Sequence, residues 1–329
     1  MLKKDFIVTN KINMTDYADA LALIEKSKYI LIVTHVNPDA DSISSALALS
    51  NLFYENRIKH KVFNISSDLP QNLDFIERFD KITDQFPKFY DLVISVDCGS
   101  YKRLGFEVPD GIPIINFDHH KSNDNFGVIN LVDPYLSSTA EVVYDFFKHN
   151  GLYITKNSAT ALYVGIYDDS LAFSLGRCDE TTFEKVNFLV SCGASPSSIA
   201  NSLLRRDSLA KYRIIPKVLN SLELFKEGEV ATIFATQEFY DETGAHSRDC
   251  DDALDMIMSM AIVKVAIFLR IVNNQVRVSI RSKNKFDASK VASVFGGGGH
   301  FNAAGFTIET LDVMEAKNQV LREVFEFYK

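Results

Sequence analysis

One short segment, HVNPDADS, combines residue types that could bind a metal ion. It places His35, Asp39 and Asp41 within seven residues, directly after the apolar run at residues 30–33. Two carboxylates this close repel each other, and each raises the free-energy cost of ionising the other. A bound cation would remove that cost, because imidazole nitrogens and carboxylate oxygens are common metal ligands. The segment therefore predicts a metal site at a turn from a strand to a helix.

Two further polar clusters each follow an apolar run of strand length. They are Asp97 after residues 92–96, and Asp118, His119 and His120 after residues 112–117. Short runs rich in Ile and Val indicate buried strands. A helical pattern such as that at residues 42–54 separates them, which predicts an α/β fold with a mainly parallel sheet. Ligands of such sheets bind at the carboxyl ends of the strands, where all three clusters lie.

Six residues form the candidate ligand set. They are His35, Asp39, Asp41, Asp97, His119 and Asp169. All offer nitrogen or oxygen, which suits Mn²⁺ or Mg²⁺ better than a metal held by thiolates. The set exceeds what one ion needs, so two ions that share a bridging carboxylate are expected. Paired metals are typical of phosphoryl hydrolysis, where they lower the pKa of a shared water and stabilise the attacking and leaving oxygens.

Four of the six candidate ligands also have an ordinary structural explanation. Asp39 and Asp41 could be a turn aspartate and a helix N-cap. Asp97 could be a turn residue, and His119 could be a hydrogen-bonded core histidine. The convergence of these residues at the ends of three predicted strands favours the functional interpretation.

Composition limits the classes of function. The 329 residues suffice for two domains, and 47% hydrophobic with 24% charged residues is typical of a globular protein. A net charge of −8 argues against a long, sequence-independent grip on duplex nucleic acid. The four cysteines form no CxxC pair, so structural zinc and a disulfide framework are not expected. With no apolar stretch of membrane-span length and no apparent secretory signal, we expect a cytoplasmic protein without membrane association.

The predicted elements divide the chain into three parts. They are a metal-binding catalytic domain at residues 1–196, a helical connector at residues 197–224 and a smaller α/β domain at residues 225–329. In the first part, capping signals at Ser138 and Asp179 predict helix starts. In the third part, apolar runs on both sides of Asn273 and Asn274 predict a β-hairpin.

The third part also carries features that attract anions. On the strand predicted after the hairpin turn, Arg277 and Arg281 alternate with apolar residues, so both lie on one face. The run GGGGH at residues 296–300 predicts a flexible loop, or a nest of backbone N–H groups around an anion. Four consecutive glycines are not expected to be a packing element, because glycine costs backbone entropy. His300 beside the run strengthens the anion-binding interpretation.

The motifs resemble those of the DHH phosphoesterase family, in its DHHA1 branch. The name-giving triplet is Asp118-His119-His120, and the other matching segments are HVNPDADS, VDCGS, GIYDDS, RSK at residues 281–283 and GGGGHFNAAGF at residues 296–306. They occur in the family's order and cover nearly the whole chain. The compact length is similar to that of the nanoRNases, which also act as 3′-phosphoadenosine 5′-phosphate (pAp) phosphatases. The longer RecJ-type exonucleases carry further domains.

The resemblance implies a role for each candidate residue. The implied ligands of one ion are His35 and Asp39, those of the other are Asp41, His119 and Asp169, and Asp97 bridges the two. The implied catalytic residues next to the metals are Asp118 and His120, with His120 as the acid for the leaving oxygen. The implied substrate-binding residues are Arg281, Ser282, Lys283, Gly297, Gly298, Gly299 and His300. The implied cofactors are two Mn²⁺ ions, with Mg²⁺ as an alternative.

The fourth motif departs from the family pattern. Where the family usually has Thr-Asp-Thr-Gly, this chain has DDSL at residues 168–171. The spacing from Gly165 selects Asp169 as the ligand and leaves Asp168 as an additional carboxylate nearby. Phe301, after the glycine run, could stack on a base or belong to the core.

The resemblance implies a metal-dependent phosphodiesterase or exonuclease with its active site in a cleft between the two domains. Its substrates would be short single-stranded RNA or DNA oligonucleotides, dinucleotides and pAp. One alternative is a phosphodiesterase for cyclic or linear dinucleotide second messengers. The motifs barely distinguish such an enzyme from a nanoRNase. A manganese inorganic pyrophosphatase would have a different second domain, and a non-catalytic nucleotide-binding module would lack part of the ligand set. Substrate preference, cleavage polarity and oligomeric state are left open by the sequence.

Overall fold

The computed structural model describes residues 12, 14–66, 69–174, 177–283 and 285–328 and divides into two compact units. The division falls between Arg206 and Asp207, within the segment predicted as the connector. Most of that segment lies in two helices, Pro196–Leu204 and Leu209–Asn220. The second helix begins after Ser208, whose hydroxyl accepts a hydrogen bond from the Lys211 N–H. The connector is therefore two capped helices, one in each unit.

The first unit is built on a parallel sheet. Its strands are β1 (Ile30–Thr34), β2 (His60–Phe63), β3 (Ile82–Thr83), β4 (Leu92–Val96), β5 (Ile114–Asp118) and β6 (Ile129–Val132). Their order is β3-β2-β1-β4-β5-β6, and every neighbouring pair is parallel. Every residue of β1, β4 and β5 is buried, as expected for strands covered on both faces. The three strands predicted to precede the polar clusters are thus confirmed.

In the described part of the first unit, six α-helices accompany this sheet. They are α1 (Met14–Lys26), α2 (Ala40–Glu55), α3 (Thr139–His149), α4 (Lys156–Asp169), α5 (Glu180–Ser191) and α6 (Pro196–Leu204). Asp39, Ser138 and Asp179 cap α2, α3 and α5 by accepting hydrogen bonds from backbone N–H groups of the first turn. The helix starts predicted at Ser138 and Asp179 are therefore confirmed.

The second unit has a mixed sheet. Its strands are β7 (Glu223–Phe225), β8 (Val230–Ala235), β9 (Val265–Val272), β10 (Gln275–Ser282), β11 (Gly298–His300) and β12 (Ala303–Ile308), in the order β11-β12-β10-β9-β8-β7. Its helices are α7 (Leu209–Asn220), α8 (Gln237–Thr243), α9 (Asp252–Met258), α10 (Ala288–Val294) and α11 (Val313–Phe327). Among the described strands of this sheet, only β8 and β9 pair in parallel. In the described part of the chain, no helix is long and apolar enough to cross a membrane.

The predicted hairpin is present as β9 and β10. Asn273 and Asn274 have φ angles of 51° and 61°, which a two-residue hairpin turn requires at both positions. Along β10, Val276, Val278 and Ile280 are buried, whereas Arg277 is exposed. The alternation predicted from the sequence is therefore confirmed, and the basic residues lie on the face opposite the β10 core.

The glycine run is partly a packed strand, and the expectation that it could not be a packing element is wrong. Gly298–His300 forms β11, which pairs with β12. A Cβ atom on Gly297 would lie 2.4 Å from the Gly305 carbonyl oxygen, and one on Gly299 would lie 2.4 Å from the Ala303 oxygen. Glycine allows this close backbone approach, and the contact offsets its entropic cost.

Candidate active site

The three polar clusters meet at one edge of the first sheet. Thr34, the last residue of β1, pairs with Val96 of β4, and Val96 pairs with Phe117 of β5. The strands therefore end in register, and the residues that follow them are neighbours in space. His35 and Asp97 are buried immediately beyond these ends. The parallel arrangement alone brings together side chains that are far apart in the sequence.

Asp97 lies at the centre of the cluster. One of its carboxylate oxygens faces His35, and the other faces His119. Its Oδ2 is 3.5 Å from Nε2 of His35, and its Oδ1 is 3.8 Å from Nε2 of His119. The Thr139 hydroxyl donates to Oδ1 at 2.8 Å, and the Asp97 N–H donates to the Phe117 carbonyl. The Asp97 backbone has a φ of 58°, an uncommon left-handed conformation for a residue other than glycine. This conformation orients a carboxylate that can bridge two cations.

The first group of candidate ligands is His35, Asp39 and Asp97, whose ligand atoms lie within 4.8 Å of one another. Nδ1 of His35 is 2.9 Å from the Val36 carbonyl oxygen and 3.0 Å from Nη2 of Arg103. Nε2 of His35 is buried without a hydrogen-bond partner and faces oxygens of both aspartates at 3.5 Å. When Nδ1 donates to the carbonyl, Nε2 presents its lone pair to two carboxylates. A cation between them fits this arrangement.

The second group is Asp41, His119 and Asp169, again with ligand atoms within 4.8 Å of one another. Nε2 of His119 is 3.2 Å from Oδ2 of Asp169, at the last residue of α4. Asp41 is buried and accepts hydrogen bonds from the Thr139 N–H at 2.6 Å and the Ala140 N–H at 3.0 Å. These donors are the first N–H groups of α3, so the positive end of that helix stabilises the Asp41 carboxylate.

The positively charged groups of the protein do not balance the negative charge of the carboxylates at this site. Burial, and then the charges of Asp97 and Asp169, raise the pKa of Asp41 well above its ordinary value. Burial and the nearby Asp97 and Asp39 raise the pKa of Asp169 to about 6, against the lowering effect of His119. Burial lowers the pKa of His35, but Asp39 and Asp97 outweigh it and raise that pKa to about 10. Bound cations would remove this repulsion, so the residues present fit a pair of metal ions.

Asp118 and His120 form a hydrogen-bonded pair beside Asp97. Nδ1 of His120 is 2.7 Å from Oδ1 of the fully buried Asp118, and the Asn123 amide donates to the other oxygen. The hydrogen bond to Asp118 raises the pKa of His120. Burial raises the pKa of Asp118, but His120 and Asn123 outweigh it and lower that pKa. The pairing fixes the ring of His120, whose side chain is 24% exposed.

Three residues of the site were not predicted from the sequence. They are Arg103, Asn123 and Thr139. Thr139 follows the capping residue Ser138, so the predicted helix start contained a signal for its position at the positive end of α3. Arg103 lies in a short 3₁₀ helix that the sequence pattern does not indicate, 68 residues from its partner His35. Asn123 likewise lies in an irregular segment after the DHH triplet.

The predicted substrate residues of the second unit lie along β10 and β11. Arg281 is exposed on β10. Ser282 is buried, and its hydroxyl donates to the Phe286 carbonyl at 2.8 Å. Lys283 donates to the Met260 carbonyl at 3.2 Å. The site roles of these residues and of Gly297, Gly298 and Gly299 stay predictions.

Two residues flank the glycine strand at its end. The backbone of His300 belongs to β11, but its side chain lies outside the described part of the structure. Phe301 is 47% exposed, which excludes the core position considered for it.

Gly165 of α4 provides a test of the packing behind Asp41. A Cβ atom here would lie 2.6 Å from Cβ of Ala140 and 2.7 Å from Oδ1 of Asp41. We expect Gly165→Ala to destabilise the protein by about 1–3 kcal/mol, because the buried contact cannot accommodate a methyl group. The exposed Asn157→Ala on the same helix should be nearly neutral. Chemical denaturation of both variants would measure this, and an unchanged midpoint for Gly165→Ala would contradict the tight contact.

Comparison with known proteins agrees with this geometry. The sequence profile of the DHH family, N-terminal domain, matches residues 29–166, and that of the DHHA1 domain matches residues 229–327. The bifunctional oligoribonuclease and PAP phosphatase NrnA of Thermus thermophilus is 29% identical over 311 residues, 94% of this chain and 92% of that protein. The cyclic-di-AMP phosphodiesterase PdeA of Listeria monocytogenes is 24% identical over 329 residues, 93% of this chain and 49% of that protein.

A similar structure has also been solved. The crystal structure of an exopolyphosphatase-related protein from Bacteroides fragilis has a TM-score of 0.88 and 25% identity to this chain, with 98% of each chain covered. This chain, with its two α/β units and these two domains, is a phosphoric ester hydrolase. The chain belongs to the DHH phosphoesterase family, in its DHHA1 branch. Phosphoesterases of this family depend on metal ions, and the two ligand groups described above could hold them.

Proposed function

We propose that this protein is a metal-dependent phosphodiesterase that hydrolyses short oligonucleotides to mononucleotides and also acts as a pAp phosphatase. The observation that carries the proposal is the position of Asp97, with one oxygen toward each of two ligand groups. The similarity to the Thermus oligoribonuclease and PAP phosphatase over most of both chains supports this substrate class. Residues 1–196 would form the catalytic domain and residues 225–329 the substrate-binding domain.

The proposed cofactors are two Mn²⁺ ions. One ion would be held by His35 and Asp39, and the other by Asp41, His119 and Asp169. Asp97 would bind both ions. When bound, such ions activate water and stabilise the negative charge of a phosphoryl transition state. The Val36 carbonyl orients the His35 ring by accepting a hydrogen bond from Nδ1, while the first N–H groups of α3 fix Asp41.

Asp118 and His120 are proposed to act on the leaving group. The hydrogen bond from Nδ1 to the buried Asp118 orients the ring and directs its other nitrogen away from Asp118. In this position, Nε2 of His120 could donate a proton to the leaving oxygen of the substrate. Asp118 would then be a positioning residue, since its carboxylate is buried behind the ring.

A substrate panel tests the proposal. Turnover of pAp, linear and cyclic dinucleotides and RNAs of increasing length would be compared in chelator-treated protein with and without added Mn²⁺ or Mg²⁺. We expect no turnover without metal, best recovery with Mn²⁺, and fastest hydrolysis of pAp and the shortest linear substrates. Metal-dependent hydrolysis of none of these substrates would overturn the proposal.

The same panel addresses one alternative. The similarity to a cyclic-di-AMP phosphodiesterase over 93% of this chain favours a dinucleotide messenger as the second candidate substrate. Preference for cyclic over linear dinucleotides would support that alternative. A manganese pyrophosphatase is disfavoured, because the second unit matches the DHHA1 domain.

Arg281 is expected to bind the end of the substrate that is distant from the metals. A charge-assisted phosphate contact contributes about 1.5–3 kcal/mol, so Arg281→Ala should lower kcat/KM for pAp and dinucleotides by roughly tenfold to a hundredfold. The loss should appear mainly in KM, since the contact exists in both ground and transition states. Hydrolysis of bis-p-nitrophenyl phosphate should be nearly unchanged, because that ester has no distal phosphate.

The matched control for this experiment is Arg322→Ala, which removes another exposed arginine of the same unit. It should leave the kinetics of all substrates unchanged. His300→Ala should resemble Arg281→Ala. An equal loss on the artificial ester in Arg281→Ala would mean that Arg281 supports the fold or the metal site instead of the substrate.

A further inference from the structure

A basic cavity lies at the amino-terminal ends of the strands in the first unit. It has a volume of about 520 Å³, and its lining residues include His60, Lys61, Arg78, Lys81 and Lys88. His60 begins β2, and Lys81 directly precedes β3. The candidate metal ligands follow the opposite, carboxyl-terminal ends of the same sheet. A five-residue strand spans about 16 Å, so the cavity is separate from the candidate active site.

Arg78 is the best-oriented cation of this cavity. Its Nε donates to the Ser50 hydroxyl at 2.9 Å, and its guanidinium lies over the Tyr54 ring at 4.5 Å from the ring centre. Nε2 of His60 is 2.8 Å from the same hydroxyl. Among the described residues, no carboxylate forms an ion pair with Arg78. Nη2 of Arg78 is also 3.5 Å from Nε2 of His60. The guanidinium is thus held in position without being neutralised, and the remaining N–H groups of its terminal nitrogens can bind an anion.

The charge around Arg78 is strongly positive. Of the residues that the structure describes, four lysine and arginine side chains line the cavity, and no aspartate or glutamate does. Lys81 pairs with Asp80 at 2.5 Å, but both side chains are exposed, and such a pair contributes little. Burial and the neighbouring Arg78 lower the pKa of His60, so His60 stays neutral at pH 7 and adds no charge. The cavity therefore selects an anion and offers it several cations.

Aromatic side chains complete the lining. Tyr29 and Phe89 both border the cavity, and Phe89 is 56% exposed. Exposed aromatic faces beside cations are suited to a planar ring that is joined to a phosphate. The volume lies in the range of about 300–1,000 Å³ that is typical of small-molecule sites.

We infer that this cavity binds a phosphate monoester that carries a planar ring and has the size of a mononucleotide. Arg78 would bind the phosphate through its two terminal nitrogens, because the fork of a guanidinium matches two phosphate oxygens. Lys61, Lys81 and Lys88 would neutralise the remaining charge. Binding at this cavity does not require hydrolysis at the metal site.

Equilibrium dialysis with radiolabelled AMP tests this site on the full-length protein after chelation, which prevents turnover. All variants would be made in the Arg281→Ala background, so that binding at the proposed substrate site is weakened. We expect saturable binding in this background and at least about tenfold weaker binding in Arg78→Gln. Inorganic phosphate should compete with AMP, whereas adenosine should compete poorly.

Arg57→Gln is the matched control. Arg57 is an exposed arginine of the same unit that does not line the cavity, and its backbone is also left-handed, with φ values of 58° for Arg57 and 72° for Arg78. It should leave AMP binding unchanged. Thermal unfolding would check the fold of each variant, and the exposed Lys88→Gln replaces Arg78→Gln if the latter is unstable. The inference would be overturned if AMP showed no saturable binding, or if the cavity and control variants bound AMP with equal affinity. It would also be overturned if only single-stranded RNA competed with AMP.

Discussion

Replacing Asp97 should abolish hydrolysis of every substrate. Its two oxygens face different ligand groups, so loss of the carboxylate weakens both metal sites at once. Metal ions contribute several kcal/mol of transition-state stabilisation, and about 1.4 kcal/mol corresponds to a factor of ten. We therefore expect kcat/KM of Asp97→Ala to fall by at least about a thousandfold, more than for any other single ligand. Steady-state kinetics with Mn²⁺ would measure the loss.

The left-handed backbone at Asp97 calls for a second variant. Asparagine accepts a φ of 58° more readily than alanine, so Asp97→Asn removes the charge with less backbone strain. Asp97→Asn should remain folded and bind fewer than two ions, as measured by metal analysis after gel filtration. Asp110→Asn, an exposed aspartate of the same unit, should keep full metal content and activity. Substantial activity in Asp97→Ala with both metals bound would contradict a bridging role.

The sequence was sufficient to predict the frame of the site. Parallel strands end at a common edge, so polar residues after β1, β4 and β5 had to meet once the runs were identified as strands. The capping signals at Ser138 and Asp179 were also sufficient to predict where α3 and α5 begin, because a helix N-cap is a local hydrogen bond. Such features depend on a few neighbouring residues or on one simple rule of topology.

Contacts between distant segments were not predictable. Arg103 reaches His35 from a short 3₁₀ helix, and Thr139 reaches Asp97 because α3 begins beside the sheet edge. The glycine run was judged by its entropy alone, whereas the structure shows that β12 lies too close for side chains at Gly297 and Gly299. These features depend on packing between elements, and composition carries no signal for them.

The end of α4 shows a further departure from the family pattern with a physical consequence. Leu171, at the position where the family usually has glycine, has a φ of 49° and a side chain that is 62% exposed. The next two residues, Ala172 and Phe173, are also left-handed, with φ values of 54° and 64°. This strained turn directly follows the paired aspartates of the fourth motif. Leu171 therefore holds a left-handed conformation that glycine would adopt with less strain.

The choice between Asp168 and Asp169 gives the second large effect. Asp169 approaches Nε2 of His119 at 3.2 Å and shares a ligand group with Asp41. Asp168, one residue earlier on α4, is exposed and belongs to no group of candidate ligands among the described residues. Successive helical residues point about 100° apart, so the two side chains leave the helix in different directions. Asp169→Asn should therefore remove a ligand, whereas Asp168→Asn should remove only a nearby negative charge.

We expect Asp169→Asn to lower kcat/KM by at least about a hundredfold to a thousandfold, since a metal ligand supports several kcal/mol of transition-state stabilisation. Asp168→Asn should cost less than about tenfold, which is the range of an exposed charge acting at a distance. The two substitutions are chemically identical and adjacent, so each serves as the control for the other. Kinetics on bis-p-nitrophenyl phosphate isolate the metal site from binding of the distal phosphate, and metal analysis should show lower Mn²⁺ content in Asp169→Asn alone. A more severe loss in Asp168→Asn would mean that α4 is rotated relative to the arrangement described, and that Asp168 supplies the ligand.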